Sequence, residues 1–200
     1  MILPGTGAVL AGGRSLRFGS PKAHASWGAG SLVEAVASTL ARSFAETLVV
    51  VKIPAGFERL ERAGCRVVVD LDGEQHPLGG LDSCLAASAF EHVLVAACDM
   101  PALRPALLER LWASRGSFEA VVPLWNGVPQ PLCALYTRAC RARIRGLIAR
   151  KALSLRGLLG LLRTRYLSEA EVAEVDPSGA SFADLDTREE YERLRLEAGC

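Results

Sequence analysis

Thr47-Leu48-Val49-Val50-Val51-Lys52-Ile53, then Phe57–Arg62, then Arg66-Val67-Val68-Val69-Asp70: this stretch decides the fold. Each valine triplet is an unbroken β-branched run, as expected for a strand covered on both faces. The segment between them has helical spacing. The same alternation extends outward. Thr6–Leu10, His92–Cys98, Phe118–Pro123 and Leu132–Tyr136 read as strands, and Ser31–Ser43, Leu81–Phe90 and Ala102–Ser114 as helices. Strands alternating with helices predict an α/β fold with a mostly parallel sheet and crossover helices.

The chain has 200 residues, about one domain's worth. No repeat or low-complexity linker divides it, so residues 1–200 are expected to form a single domain. Hydrophobic residues make up 50% and charged ones 22%, a composition that excludes disorder. With 23 basic and 22 acidic residues the net charge is +1, and nothing global points to nucleic acid or a membrane. The N-terminus lacks the basic flank and long apolar run of a secretion signal, and the expected location is cytoplasmic. Six cysteines and three histidines form no CxxC, HExxH or HxH pattern. The cysteines therefore read as small buried hydrophobes in a reducing compartment.

The first strand runs into Leu10-Ala11-Gly12-Gly13-Arg14-Ser15-Leu16-Arg17-Phe18-Gly19-Ser20-Pro21-Lys22. Glycines here let backbone approach a phosphate or base, with amides free to bind anions. The Walker pattern fails because Ala23 follows Lys22, and Gly5-x-Gly7 falls too early for a dinucleotide fingerprint. What remains is GG-x3-R-x-G-x2-K, two cations fixed relative to one glycine turn. Asp99 closes another strand, where it is either a ligand to a hard cation or the N-cap of the next helix. Arg138 to Arg165 carries nine basic residues and no acid, whereas Ser168 to Glu192 is acidic. These are either solvated faces exchanging ion pairs or a cationic wall for an anionic substrate, with Lys151 and Arg156 in that wall.

Leu10-Ala11-Gly12-Gly13 through Lys22 resembles the signature of the nucleotidyltransferases built on a Rossmann-like sheet, and within them the molybdenum cofactor guanylyltransferases. The resemblance continues at Val67–Asp70, His76-Pro77-Leu78-Gly79-Gly80-Leu81, Ala97-Cys98-Asp99-Met100-Pro101, Gln130–Tyr136 and Ser181–Thr187. It implies a three-layer sandwich with helices on both faces of a mostly parallel sheet. It also implies transfer of GMP from GTP to the terminal phosphate of molybdopterin or molybdenum-molybdopterin, releasing pyrophosphate. Lys22 and Arg17 would hold the triphosphate, and with Asp99 they form the catalytic set. Leu10, Ala11, Gly12 and Gly13 would frame the nucleotide. Lys52, Asp70 and the Pro77, Leu78, Gly79, Gly80 turn would complete the nucleoside pocket. Asp99 would bind Mg2+, with Asp184 as a second contact to metal or acceptor and Asp186 beside it. Other molybdenum cofactor proteins are a further implied partner class.

Three positions depart from the family. Asparagine is usual at 184, frequent at 186 and typical after the strand where Lys52 stands. Asp186-Thr187-Arg188-Glu189 also reads as a capping box. Gly12, where cytidylyl relatives carry alanine, leaves room for a purine, and guanine is the expected base. The competing readings are a related enzyme with another nucleotide or acceptor (cytidylyl transfer to molybdopterin, a sugar phosphate, phospholactate) and a non-catalytic nucleotide-binding protein.

Overall fold

The structure, a computed structural model, describes residues 1–12, 22–70, 72, 74, 76–183 and 185, with only the backbone of Lys22. Gly13, Arg17, Asp184 and Asp186, and the side chain of Lys22, therefore lie outside the described residues.

The elements in chain order are β1 (Leu3–Leu10), β2 (Ser26–Trp27), β3 (Gly30–Ser31), α1 (Leu32–Ser43), β4 (Phe44–Val51), α2 (Glu58–Arg62), β5 (Arg66–Val69) and α3 (Pro77–Ala87). There follow β6 (His92–Ala97), α4 (Pro105–Ala113), β7 (Ala120–Trp125), β8 (Val128–Pro129), β9 (Cys133–Thr137), α5 (Arg141–Ala149), α6 (Leu155–Leu159), β10 (Thr164–Leu167) and α7 (Glu169–Ala173). The main sheet has the order β10-β7-β9-β6-β1-β4-β5, with β8 folding back on β7 and β2–β3 forming a separate hairpin. Every strand along that path is parallel except β9, which runs against both its neighbours.

The valine runs feed two cores at once. Leu48 and Val50 face the side covered by α3, α5 and α6, and Val49 and Val51 the side covered by α1, α2 and α4. Val93 and Val95 alternate with Leu94 and Ala96 in the same way. A period of two delivers consecutive side chains to opposite layers, so no strand position here can be polar without cost. The three-layer arrangement is thus present.

Gly5 and Gly7 are packing residues. A Cβ on Gly5 would lie 2.5 Å from the Trp112 ring, and one on Gly7 2.8 Å from Leu40 Cβ. They let α4 and α1 close onto β1. Among the described residues, four of the five cysteines are buried. Burial pushes the Cys133 thiol up to about 12. No described helix is long and apolar enough to cross a membrane.

Two expectations are corrected. The helix expected at Leu81–Phe90 starts a turn earlier, at Pro77, where the proline occupies a first-turn position whose N–H would be unpaired anyway. Leu132–Tyr136, expected in a mostly parallel sheet, is the antiparallel inner strand β9. Its side chains alternate between the two cores, and the Tyr136 hydroxyl donates to the Pro131 carbonyl at 2.8 Å.

Candidate active site

From β1 the chain goes to β4 and β5 on one side, then returns to place β6 on the other. Strand order reverses between β1 and β6, and in open α/β sheets ligands bind in the crevice that such a reversal opens at the strands' C-terminal ends. Backbone hydrogen bonds on both sides hold the chain as it leaves β1. The Ala11 amide donates to the Val50 carbonyl at 2.8 Å, and the Cys98 amide to the Leu10 carbonyl at 3.2 Å. Leu10, Ala11 and Gly12 thus leave β1 directly beside the turn bearing Asp99.

Asp99 is half-buried just past β6. It does not cap the next helix. That helix begins at Pro105 with Arg104 as its flanking residue, so the N-cap alternative fails. The turn is fixed from below by a network the sequence did not announce. Arg104 Nε lies 2.9 Å from the carboxylate of Asp176, whose side chain is fully buried. Asp176 also accepts from the Ser181 and Ala180 amides, while the Ser181 hydroxyl accepts from the Arg104 amide at 3.0 Å. Phe182 packs its ring against Trp125 at the end of β7, and Leu185 is buried with Trp27 and Leu32.

On the β4–β5 side, Lys52 and Asp70 meet. Lys52 Nζ is 2.8 Å from Asp70 Oδ2 and donates to the carbonyls of Asp72 (2.7 Å) and Glu74 (3.0 Å). The other Asp70 oxygen accepts from the Asp72 amide at 3.0 Å and the Ser83 hydroxyl at 3.1 Å. The expected Pro77–Leu81 turn is the first turn of α3, whose N-terminus points to this edge. Its cap is His76, with Nδ1 accepting from the Gly79 amide at 3.1 Å. Histidine is outside the usual capping set, which is why the sequence reading missed it. The His76-Pro77 pair was the available signal. Gly79 packs closely here: a Cβ would sit 3.0 Å from Asp72 Cβ and 3.2 Å from Asp70 Oδ2, so these neighbours would have to shift by a few tenths of an ångström. Gly80 and Leu78 have ordinary surroundings, Leu78 fully buried in the core. Behind this corner a groove of about 720 Å³ runs between α3, α5 and β5, lined in part by Asp70, Gly79, Ser83 and Arg145.

The basic stretch does not begin at the crevice. Thr137, at the end of β9, faces His92 at the start of β6, so residues after Arg138 begin at the N-terminal edge, away from the crevice. The antiparallel direction of β9 causes this. Helix α5 then climbs back along α3, and its end brings Lys151 Nζ to 3.9 Å from Glu74. Three of the stretch's eight arginines pair with acids far upstream in sequence: Arg141 with Asp82, Arg143 and Arg163 with Glu119. Arg165 with Glu171 is the pair made to the acidic segment. Arg156 has no acid within ion-pair distance among the described residues. It stands on α6, which the structure does not bring against the Lys52–Asp70 corner.

A Rossmann-like sheet with a glycine turn, a carboxylate at the next strand end and a capped helix N-terminus converging on one crevice defines a nucleotide-handling α/β protein. The sequence profile described as the MobA-like NTP transferase domain matches residues 7–169, and the chain belongs to that family. It is 32% identical over 198 residues to a probable molybdenum cofactor guanylyltransferase from Pelotomaculum thermopropionicum, covering 98% of this chain and 95% of that one. Its fold is similar to that of molybdopterin-guanine dinucleotide biosynthesis protein A from Archaeoglobus fulgidus. There the TM-score is 0.83 at 23% identity, over 97% of this chain and 98% of the other. The 2-C-methyl-D-erythritol 4-phosphate cytidylyltransferase of Thermus thermophilus shares the fold at a TM-score of 0.70 and 17% identity, over 99% and 100%.

Proposed function

We propose that the protein transfers GMP from GTP to the terminal phosphate of molybdopterin or molybdenum-molybdopterin, acting in the cytoplasm. An oxygen of the acceptor phosphate attacks the α-phosphorus of GTP in line. The new P–O bond forms as the bond to the β-phosphate bridge breaks, and pyrophosphate leaves. Two anions meet in this step, so positioning and charge neutralisation are what the protein must supply.

The observation that carries the reading is the convergence of Leu10–Gly12, Asp99 and the Lys52–Asp70–α3 corner on the β1–β6 reversal. The curated relatives' names add the guanylyl and molybdenum cofactor specificity. Leu10, Ala11, Gly12 and Gly13 frame the nucleotide, with Asp70 and the first turn of α3 at the nucleoside. Lys22 and Arg17, assigned by the family resemblance alone, would bind the triphosphate. The same resemblance gives Asp184 and Asp186 to the metal or acceptor.

Mg2+ takes one or two carboxylates plus phosphate oxygens and water, and seldom an all-protein cage. The described residues hold no cluster of three or more His, Cys, Asp or Glu side chains able to bind a metal. Asp99, a single carboxylate at a strand end, fits that donor pattern. When bound, the ion would neutralise charge on the triphosphate.

The test is incubation with Mg2+, molybdopterin and each of the four nucleoside triphosphates, scored for pyrophosphate. GTP should exceed CTP by about 10²-fold in kcat/KM, because unpaired donors in a base pocket discriminate strongly. Equal use of CTP removes the guanine assignment. Turnover only with a sugar phosphate or phospholactate removes the acceptor assignment.

A further inference from the structure

Lys52 stands where the resemblance expects asparagine, and its surroundings give it a different task. Its stem lies beside the glycine turn, since a Cβ on Gly12 would be 3.5 Å from Lys52 Cγ. Its ammonium has three N–H donors and three acceptors in reach: Asp70 Oδ2 and the carbonyls of Asp72 and Glu74. The donor capacity is used up within the protein. The side chain therefore has nothing left to offer a nucleotide in this arrangement.

What it holds is the wall opposite the glycine turn. Asp70, with a side chain only 5% exposed, is gripped from its other oxygen by Ser83 and the Asp72 amide. One carboxylate oxygen of Asp72 accepts from the Glu74 amide at 3.1 Å, and the other lies 3.4 Å from His76 Nε2. His76 in turn caps α3. A continuous run of polar contacts links Lys52 to the N-terminus of α3, and Gly79 lets the helix pack closely on Asp70.

We propose that Lys52 is a positioning residue for base recognition, fixing the Asp70–His76 wall against the Gly12 turn. The inference rests on the nucleotide reading above. On that reading, triphosphate affinity comes from the signature loop and is common to all nucleotides, whereas discrimination between bases comes from the wall. Loosening the wall should therefore cost discrimination and spare phosphate binding.

The experiment is equilibrium binding of GTP, ATP and inorganic tripolyphosphate to the wild-type protein and to Lys52→Met, which keeps the stem and removes the ammonium. Wild type should prefer GTP; if it does not, the guanine reading fails, and this inference with it. In Lys52→Met the Kd for GTP should rise about tenfold and the GTP-over-ATP ratio fall in step. The Kd for tripolyphosphate should stay within about twofold, since the wall does not touch phosphate on this account. An unchanged GTP-over-ATP ratio overturns the proposal. So does parallel weakening of tripolyphosphate, which would make Lys52 a direct phosphate ligand. Should Lys52→Met fail to fold, Ser83→Ala removes one donor to Asp70. It should lower the ratio about two- to threefold with tripolyphosphate binding intact, and no change in the ratio would again count against the wall.

Discussion

At the N-terminal edge of the sheet Glu46 of β4 meets Arg66 of β5; at the C-terminal edge Lys52, just past β4, meets Asp70, just past β5. Both pairs tie the same two strands. Glu46 lies 2.6 Å from Arg66 Nη2 and also accepts from the Thr6 hydroxyl and the Ala89 amide. Thr6 continues to Ser88 at 2.6 Å, closing β1, β4, β5 and the α3–β6 turn into one knot. Its partners are strands and a tight turn, elements already fixed by the core. The Lys52 pair instead ends on a loop and a helix N-terminus bordering the crevice. The same acid–base chemistry thus locks the frame at one edge and holds the proposed binding wall at the other.

The sharpest way to break this contrast is at Asp99. Asp99→Ala should lower kcat/KM by about 10³-fold or more, the scale of losing a charge-neutralising group at a transferring phosphate, with Tm nearly unchanged. Asp99→Asn should be almost as poor, because the residue is not a helix cap. Near-normal turnover in the asparagine variant would take the carboxylate out of the chemistry. Next in size is Lys22. Lys22→Ala should cost about 10²-fold in kcat, and Lys22→Arg should also be impaired, because a planar fork does not replace a compact charge. Pyrophosphate release at saturating GTP measures both, and full activity in the alanine variant would remove Lys22 from the mechanism.

Glu46 supplies the opposite outcome. Glu46→Gln should leave kcat and both KM values unchanged and lower stability by about 1–3 kcal/mol, since it removes a charge from a hydrogen-bonded network. Burial pushes the Glu46 pKa up, but hydrogen bonds from Thr6, Arg66 and the Ala89 amide, with the Arg66 charge, hold it below the ordinary value. A carboxyl lowered in the folded state stabilises above its unfolded pKa and loses that contribution as pH falls through the folded pKa. The wild-type Tm advantage over Glu46→Gln should therefore shrink on acidification from about pH 5 to pH 3. An advantage that persists there would mean that the charge on Glu46 contributes nothing.

Much of this was legible beforehand because it is local. The valine triplets specify burial on both faces, and Ser31 with Glu34 marks the start of α1, where Glu34 Oε2 accepts the Ser31 amide at 2.8 Å. Asp99 and Asp70 follow strands, and any residue there falls on the C-terminal edge of a parallel sheet. What escaped depends on distant partners. Nothing within Leu132–Tyr136 says that it inserts antiparallel between β6 and β7. Glu119 and Asp82 lie 24 and 59 residues before Arg143 and Arg141, their respective partners. Asp176, an acid in an exposed-looking segment, is buried only because Arg104 and two amides meet it there.

The smallest effect belongs to the basic stretch, and it asks whether the C-terminal edge extends past Glu74. Because α5 starts at the N-terminal edge, its early arginines are bound into the frame by Asp82 and Glu119. Only its end returns toward the crevice. Lys151 is 82% exposed and 3.9 Å from Glu74, a loose contact that an incoming phosphate could compete for. Exposed charges contribute little individually, about 0.2–1 kcal/mol, which corresponds to at most roughly a fivefold change in affinity. Lys151→Ala should therefore raise the acceptor KM about two- to fivefold at low ionic strength and leave the KM for GTP unchanged. The effect should fade at high salt, where screening shortens the reach of an exposed charge to a few ångströms. Arg156→Ala should do less, since α6 is not brought to the Lys52–Asp70 corner. If Arg156→Ala matches or exceeds Lys151→Ala, the acceptor approaches over α6, and the C-terminal edge is wider than the Lys52–Glu74 wall. If a variant combining Lys151→Ala with Arg156→Ala loses Tm while both KM values hold, the two cations belong with Arg141 and Arg143 as parts of the frame.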